Sequence, residues 1–103
     1  MAAFRIPAGL NGKSITSVAA CVTTASTSGT PTINIRRERS GSAVSIFNTK
    51  LTIDANEKDS STAATGYAFN SSNVGVQTGD QILIDVDVAG TGTKGLVVEI
   101  TFG

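Results

Sequence analysis

The sequence predicts an all-β fold, an antiparallel β-sandwich or jelly roll of about eight strands in a single domain spanning residues 1–103. Three observations carry that prediction. The first is composition: 103 residues hold nine Ile, nine Val, 25 Ser and Thr, and 11 Gly, while Lys, Glu, Gln and Leu are scarce. Branched side chains pack well on a pleated surface and Gly and Ser serve turns, whereas a helical bundle lacks its usual residues. The second is alternation. Ile82, Ile84, Val86 and Val88 share one face of a strand, as do Leu96, Val98, Ile100 and Phe102. The third is spacing: candidate strands recur about every ten residues with no helical stretch between them, which excludes a doubly wound parallel sheet.

The elements follow in order. "AFRIP" is a short first strand ended by Pro7, so residues 1–7 read as an N-terminal arm or an edge strand. Asn11-Gly12 turns the chain into a long strand, "KSITSVAACVTTAS", with Val18, Ala20 and Val22 on one face and Ala19, Cys21 and Thr23 on the other. "TINIRRER" alternates, Ile33 and Ile35 inward against Asn34 and Arg36 outward, and "SGSA" breaks it. "VSIFNTKLTI" is an interrupted strand. "DANEKDSSTAATG" is polar and without period, an exposed loop or irregular edge. "YAFN" and "VGV" are weaker strands, and "DQILIDVDV" and "KGLVVEITF" form the expected closing hairpin through "AGTGT".

Eight Lys and Arg balance eight Asp and Glu. Zero net charge argues against nucleic acid as a partner, since phosphate binding needs clustered positive charge. The halves differ, with six cations and one acid in residues 1–50 against two cations and seven acids in residues 51–103, a polarity suited to contact between copies. The lone Cys21 forms no internal disulfide and is expected to be a small buried hydrophobe. No apolar run reaches the ~20 residues of a bilayer span and no secretory signal is visible, so no membrane is expected and synthesis is expected in the cytoplasm.

The chain has no histidine. Ser-His-Asp and Cys-His nucleophile systems are therefore absent, as is the usual near-neutral acid and base. "GTGTKG" opens no helix and is a hairpin loop rather than a phosphate cradle. An enzyme is not expected, nor is any cofactor. Asp85 and Asp87 share a strand face, where the alternatives are an occasional calcium or glycosidase pair and an outward face that keeps a sheet soluble. "DANEKD" lacks the spacing of a calcium loop. The densest charge run, Arg36, Arg37, Glu38 and Arg39, reads either as a patch for an acidic protein surface or as a solvated strand end. Of the five aromatic residues, only Tyr67 is a candidate for stacking on a sugar.

Three runs, "FRIPAGLNGKSITSVAACVTTASTSGT", "TKLTIDANEKDSSTAA" and "VQTGDQILIDVDVAGTGTKGLVVEITF", together resemble a β-sandwich module of tailed-bacteriophage virion proteins. The module is found at tail-fibre ends and as a small free-standing protein. The resemblance runs over almost the whole chain, and its most specific part is the "TGDxxxIDVD…KGLxVxxxF" arrangement. It departs at "IRRERSGSA", which is more basic than the module. With a Met at its start and a strand at its end, the chain is expected to be the free-standing form. The resemblance implies a structural or binding role in a virion and brings no catalytic motif. One expectation is a capsid decoration (cement) protein on the head surface, docking through Phe4, Arg5, Arg36, Arg37 and Arg39. Its partners are then the major capsid protein and further copies of itself, as a homotrimer. The alternative is a tail-tip or fibre subunit that recognises a host glycan through Tyr67.

Overall fold

The structure, a computed structural model, describes residues 2–103. It contains nine strands: β1 (Ala2–Arg5), β2 (Ile15–Cys21), β3 (Thr32–Arg39), β4 (Ser42–Ser45), β5 (Phe47–Thr49), β6 (Leu51–Thr52), β7 (Ala68–Phe69), β8 (Gln81–Val88) and β9 (Val97–Phe102). Single 3-10 turns lie at Ala8–Leu10 and Ser60–Thr62. Every strand pairing is antiparallel. The larger sheet runs β1-β8-β3-β4, with β6 also on β3, and two ribbons, β2-β9 and β5-β7, complete the molecule.

The inward faces of these layers make one core. β2 and its flanks supply Ile15, Val18, Ala20 and Val22, the large sheet supplies Ile33, Ile35 and Ile82, and Ile6, Ile46, Phe47, Leu51, Ile53 and Val76 close the sides. Each fully buried Ile contributes about 1.5–3 kcal/mol relative to its exposed state, so this Ile-rich stripe is the main source of stability. The turn from β3 to β4 places Ser40 at φ 54° and Gly41 at φ 80°. Two left-handed residues match a two-residue hairpin to the twist of its strands.

Several expectations change in the folded chain. The hairpin expected through "AGTGT" does not form, because β8 already has β1 on one side and β3 on the other. β9 pairs with β2 instead, and the connection crosses between layers. That crossing is fastened to the loop after β2: Thr91 N donates to Ser28 O at 2.9 Å, Thr27 N to Thr91 O at 2.9 Å and Lys94 N to Thr24 O at 3.2 Å. Gly90 and Gly95 are required there, at φ 73° and 69°, since a side chain at either would strike Ser26 or Thr23. The long second strand is shortened to Ile15–Cys21 and "VSIFNTKLTI" is divided into three short strands. "VGV" forms no strand, only a bridge from Gly75 to Ser14.

Two burial expectations also change. Cys21 is exposed, because its position alternates with the core residues Ala20 and Val22. Val86 and Val88 lie on the expected face but are 50% and 48% exposed, and Val86 borders an open cleft shared with Val22 and Leu96.

Candidate docking surface

The expected basic run occupies the last four residues of β3, and alternation divides it between two faces. Arg36 and Glu38 follow Asn34 on the outer face. Arg37 and Arg39 follow Ile33 and Ile35 on the inner face, at the end of the sandwich where the apolar core stops. On the outer face Arg36 Nε donates to Asp85 Oδ2 at 2.6 Å. Nearby on that face Ser45 Oγ donates to the buried Asn34 Oδ1 at 2.7 Å.

Arg39 makes a two-pronged contact with Asp80, Nε to Oδ1 at 2.9 Å and Nη2 to Oδ2 at 2.6 Å. Asp80 is buried, its side chain 3% exposed. It also closes its own turn by accepting from Gln77 N at 2.8 Å. The Arg39 hydrogen bond holds the Asp80 carboxyl below the usual carboxylate range against the opposing effect of burial, helped by the Gln77 amide and by the charges of Arg39 and Arg37. The same bond raises Arg39.

Arg37 has no such carboxylate. Its Nη1 donates to the Gly75 carbonyl at 2.8 Å, and its Nε is buried with no hydrogen-bond partner. It lines a polar cleft of about 350 Å³ together with Lys13, Arg39, Ser14, Ser71 and Ser72. Asp80 pairs with Arg39 and also feels the charge of Arg37, so three cations stand against one carboxylate and the cleft stays positive. Among the described residues neither Arg37 nor Lys13 forms a salt bridge. An anionic group of modest size is the chemical complement of that lining.

The expected docking residues are therefore not one patch. Phe4 and Arg5 lie on β1, which is an edge strand paired with β8, with Phe4 opposite Ile82 and Arg5 opposite Gln81. Phe4 is 39% exposed. The Met1 end of the expected arm lies outside the described residues. Of the three arginines, Arg37 and Arg39 share the cleft and Arg36 lies on the opposite face of the sheet.

Tyr67 is not a free ring. It packs against the core, edge-on to Phe47 at 6.0 Å and tilted to Phe69 at 5.1 Å, and its hydroxyl accepts from Val18 N at 3.4 Å. Asp85 and Asp87 each face a cation, Arg36 and Lys50 respectively. Among the described residues no three Cys, Asp or Glu side chains converge as metal ligands would. The cleft's other members, Lys13, Ser71, Ser72 and Gly75, carried no signal in the sequence. They come from two segments far apart in the chain, held together where Ser14 bridges Gly75 and where the Val76 amide donates to the Lys13 carbonyl and the Gly12 amide to the Val76 carbonyl.

The fold and this cleft define a small antiparallel β-sandwich with a cation-lined hollow at one end. Comparison with family models, characterised proteins and solved structures gives no match to the chain.

Proposed function

We propose that the protein is a non-enzymatic structural component of a tailed-phage virion, a decoration protein that bridges major capsid protein subunits on the head surface. The virion assignment rests on the sequence resemblance. The docking assignment rests on one observation: the cleft at the end of β3 is lined by Arg37, Arg39 and Lys13, and among the described residues neither Arg37 nor Lys13 forms a salt bridge. An acidic loop of the capsid protein supplies the anionic partner. Its carboxylate reaches Arg37 and Lys13 while the serine hydroxyls orient it.

The β1 edge, with Phe4 exposed and Arg5 beside it, offers a second contact by strand addition. Each contact is small, and repetition over a lattice multiplies them. After synthesis in the host cytoplasm the protein resides on the capsid.

Binding of the purified protein to heads that lack it, with copy number counted per particle, tests the reading. Many copies per head are expected, with binding that weakens as salt rises. Arg37→Ala is expected to lower the affinity about tenfold, the scale of one charge-assisted hydrogen bond. A handful of copies confined to the tail, or binding indifferent to Arg37→Ala and Lys13→Ala together, would overturn it.

A further inference from the structure

The β2-β9 ribbon has two long sides, and only one is closed. On β2 and the residue that follows it, the amides that point away from β9 belong to Val18, Ala20 and Val22. Each has a partner: Tyr67 Oη at 3.4 Å, Ser60 Oγ at 2.9 Å and the Lys58 carbonyl at 2.9 Å. Antiparallel ladders alternate, so Ser17, Ala19 and Cys21 are the residues that bond across to Thr101, Glu99 and Val97. On β9 the N–H and C=O groups of Val98, Ile100 and Phe102 then point to the far side. Among the described residues β9 has no strand partner but β2, and nothing bonds these groups.

That open side lacks the usual protection of an edge. It has no Pro, no Lys or Arg, and one charge, Glu99. The open edges of the large sheet are shorter: β1 has four residues and ends in Arg5, and β4 has four and begins and ends in serine. Six residues extend about 20 Å, enough for a continuous ladder. The inward side chains of β9, Val98, Ile100 and Phe102, are only partly covered by this chain's own core.

We propose that the open edge of β9 pairs with the same edge of a second copy, antiparallel about a two-fold axis, to give a continuous four-stranded β2-β9-β9-β2 sheet. The chain itself selects the register. Residues with outward amides must oppose one another, so each even position meets an even one. Centring the axis on Glu99 would set two carboxylates face to face. Centring it on Val98 or on Thr101 brings only three residues of β9 opposite one another. Centring it on Ile100 pairs residues 97–103 of both copies, sets Val98 against the partner's Phe102, and sets Glu99 against the partner's Thr101.

The last register also uses the apolar cleft at the start of β9. That cleft, about 170 Å³, is lined by Val22, Pro31, Ile33, Val86, Ala89 and Leu96 among others. Leu96 is the diagonal neighbour of the partner's Phe102, within reach of an aromatic ring. The contact is isologous, each copy giving and receiving the same strand. It rests on β9 alone and is independent of docking to a capsid.

Charge exchange on the exposed outer face tests both the contact and its register. The mass of the purified protein is measured by light scattering across a dilution series, with circular dichroism reporting the fold. The wild-type chain is expected at two copies, dissociating on dilution. Thr101→Glu opposes a carboxylate to Glu99 twice and is expected to weaken the dimer roughly tenfold; Thr101→Lys opposes a cation and is expected to tighten it. The double variant Glu99→Lys with Thr101→Glu restores the pairing. Should Thr101→Glu alone fail to fold, the restored double variant and Thr101→Lys still read the register. A monomer at every concentration, a trimer, or Glu and Lys at position 101 acting alike would each overturn the proposal.

Discussion

The outer edge of β2 and the outer edge of β9 belong to one two-stranded ribbon, and they end differently. Both strands have the same alternation and similar side chains, with Val and Ala facing the core from one and Val, Ile and Phe from the other. β2 is finished by a loop. Residues 58–67 lay a carbonyl, a serine hydroxyl and a tyrosine hydroxyl along it, and Asp59 bridges to Cys21. Among the described residues nothing finishes β9 in the same way. A polar, aperiodic loop thus substitutes for a strand by meeting every second amide, and an edge that receives no such loop keeps its amides bare.

The largest way to break the contrast is to remove what holds the loop in place. Phe47 is buried at the centre of an aromatic trio, stacked on Phe69 at 5.9 Å and edge-on to Tyr67 at 6.0 Å. Phe47→Ala is expected to cost about 3–5 kcal/mol, as large-to-small changes in a packed core do. Urea denaturation measures the loss. Amide exchange should show Val18 and Ala20 losing protection before Ala19 and Cys21, because the former depend on the loop and the latter on β9.

How much of this was legible in the sequence divides along the same line. Period-two runs such as Ile33 with Ile35 and Ile82 with Ile84 identify inward faces because alternation is a local consequence of the extended backbone. Partner choice is not local. Nothing in "AGTGT" says that β8 has both edges occupied, so the two best-marked strands looked like a hairpin although they lie in different layers. Burial at strand ends is equally hidden: Val86 carries the same pattern as Ile82, yet it faces an open cleft and stays half exposed. Within the basic run, alternation alone separates Arg36 from Arg37 and Arg39. Asp80 as the partner of Arg39 became visible only when its turn, with Gly79 at φ 89°, brought it across 41 residues. The serine and lysine members of the cleft belong to loops whose positions follow from the fold as a whole.

Acid is the next lever, and it acts on both the molecule and the covered edge. Asp80 has its carboxyl lowered by the Arg39 hydrogen bond, and Asp59 has its carboxyl lowered by the Ser61 amide. A depressed carboxylate contributes stability above the unfolded value of about 3.9, and that contribution disappears as pH falls through the folded value. The melting temperature should therefore hold steady from neutrality to about pH 5 and fall below pH 4. Asp80→Asn should flatten that fall and lower stability at pH 7 by about 2 kcal/mol, below the range for a fully buried pair because Arg39 is a third exposed. Asp59 acts locally. Its carboxylate caps the turn Ser60–Thr62 that presents Ser60 to Ala20. The Ala20 amide should lose protection in acid sooner than the Ala19 amide, which bonds to β9.

The smallest change is also the most discriminating. Tyr67→Phe keeps the ring among Phe47 and Phe69 and removes only the oxygen that accepts from Val18 N. The bond is long, at 3.4 Å, so its loss is expected to cost about 0.5–1 kcal/mol, close to the lower bound for a neutral hydrogen bond. Its readout is the Val18 amide, which should exchange faster while Ala20, held by Ser60, does not change. Equal loss at both positions would mean that the loop protects β2 as a lid over the strand. Loss at Val18 alone would mean that it protects β2 one bond at a time, as a neighbouring strand does. In that second case the bare amides of Val98 and Ile100 lack only a matching set of acceptors. A second β9 carries such a set at the same two-residue spacing.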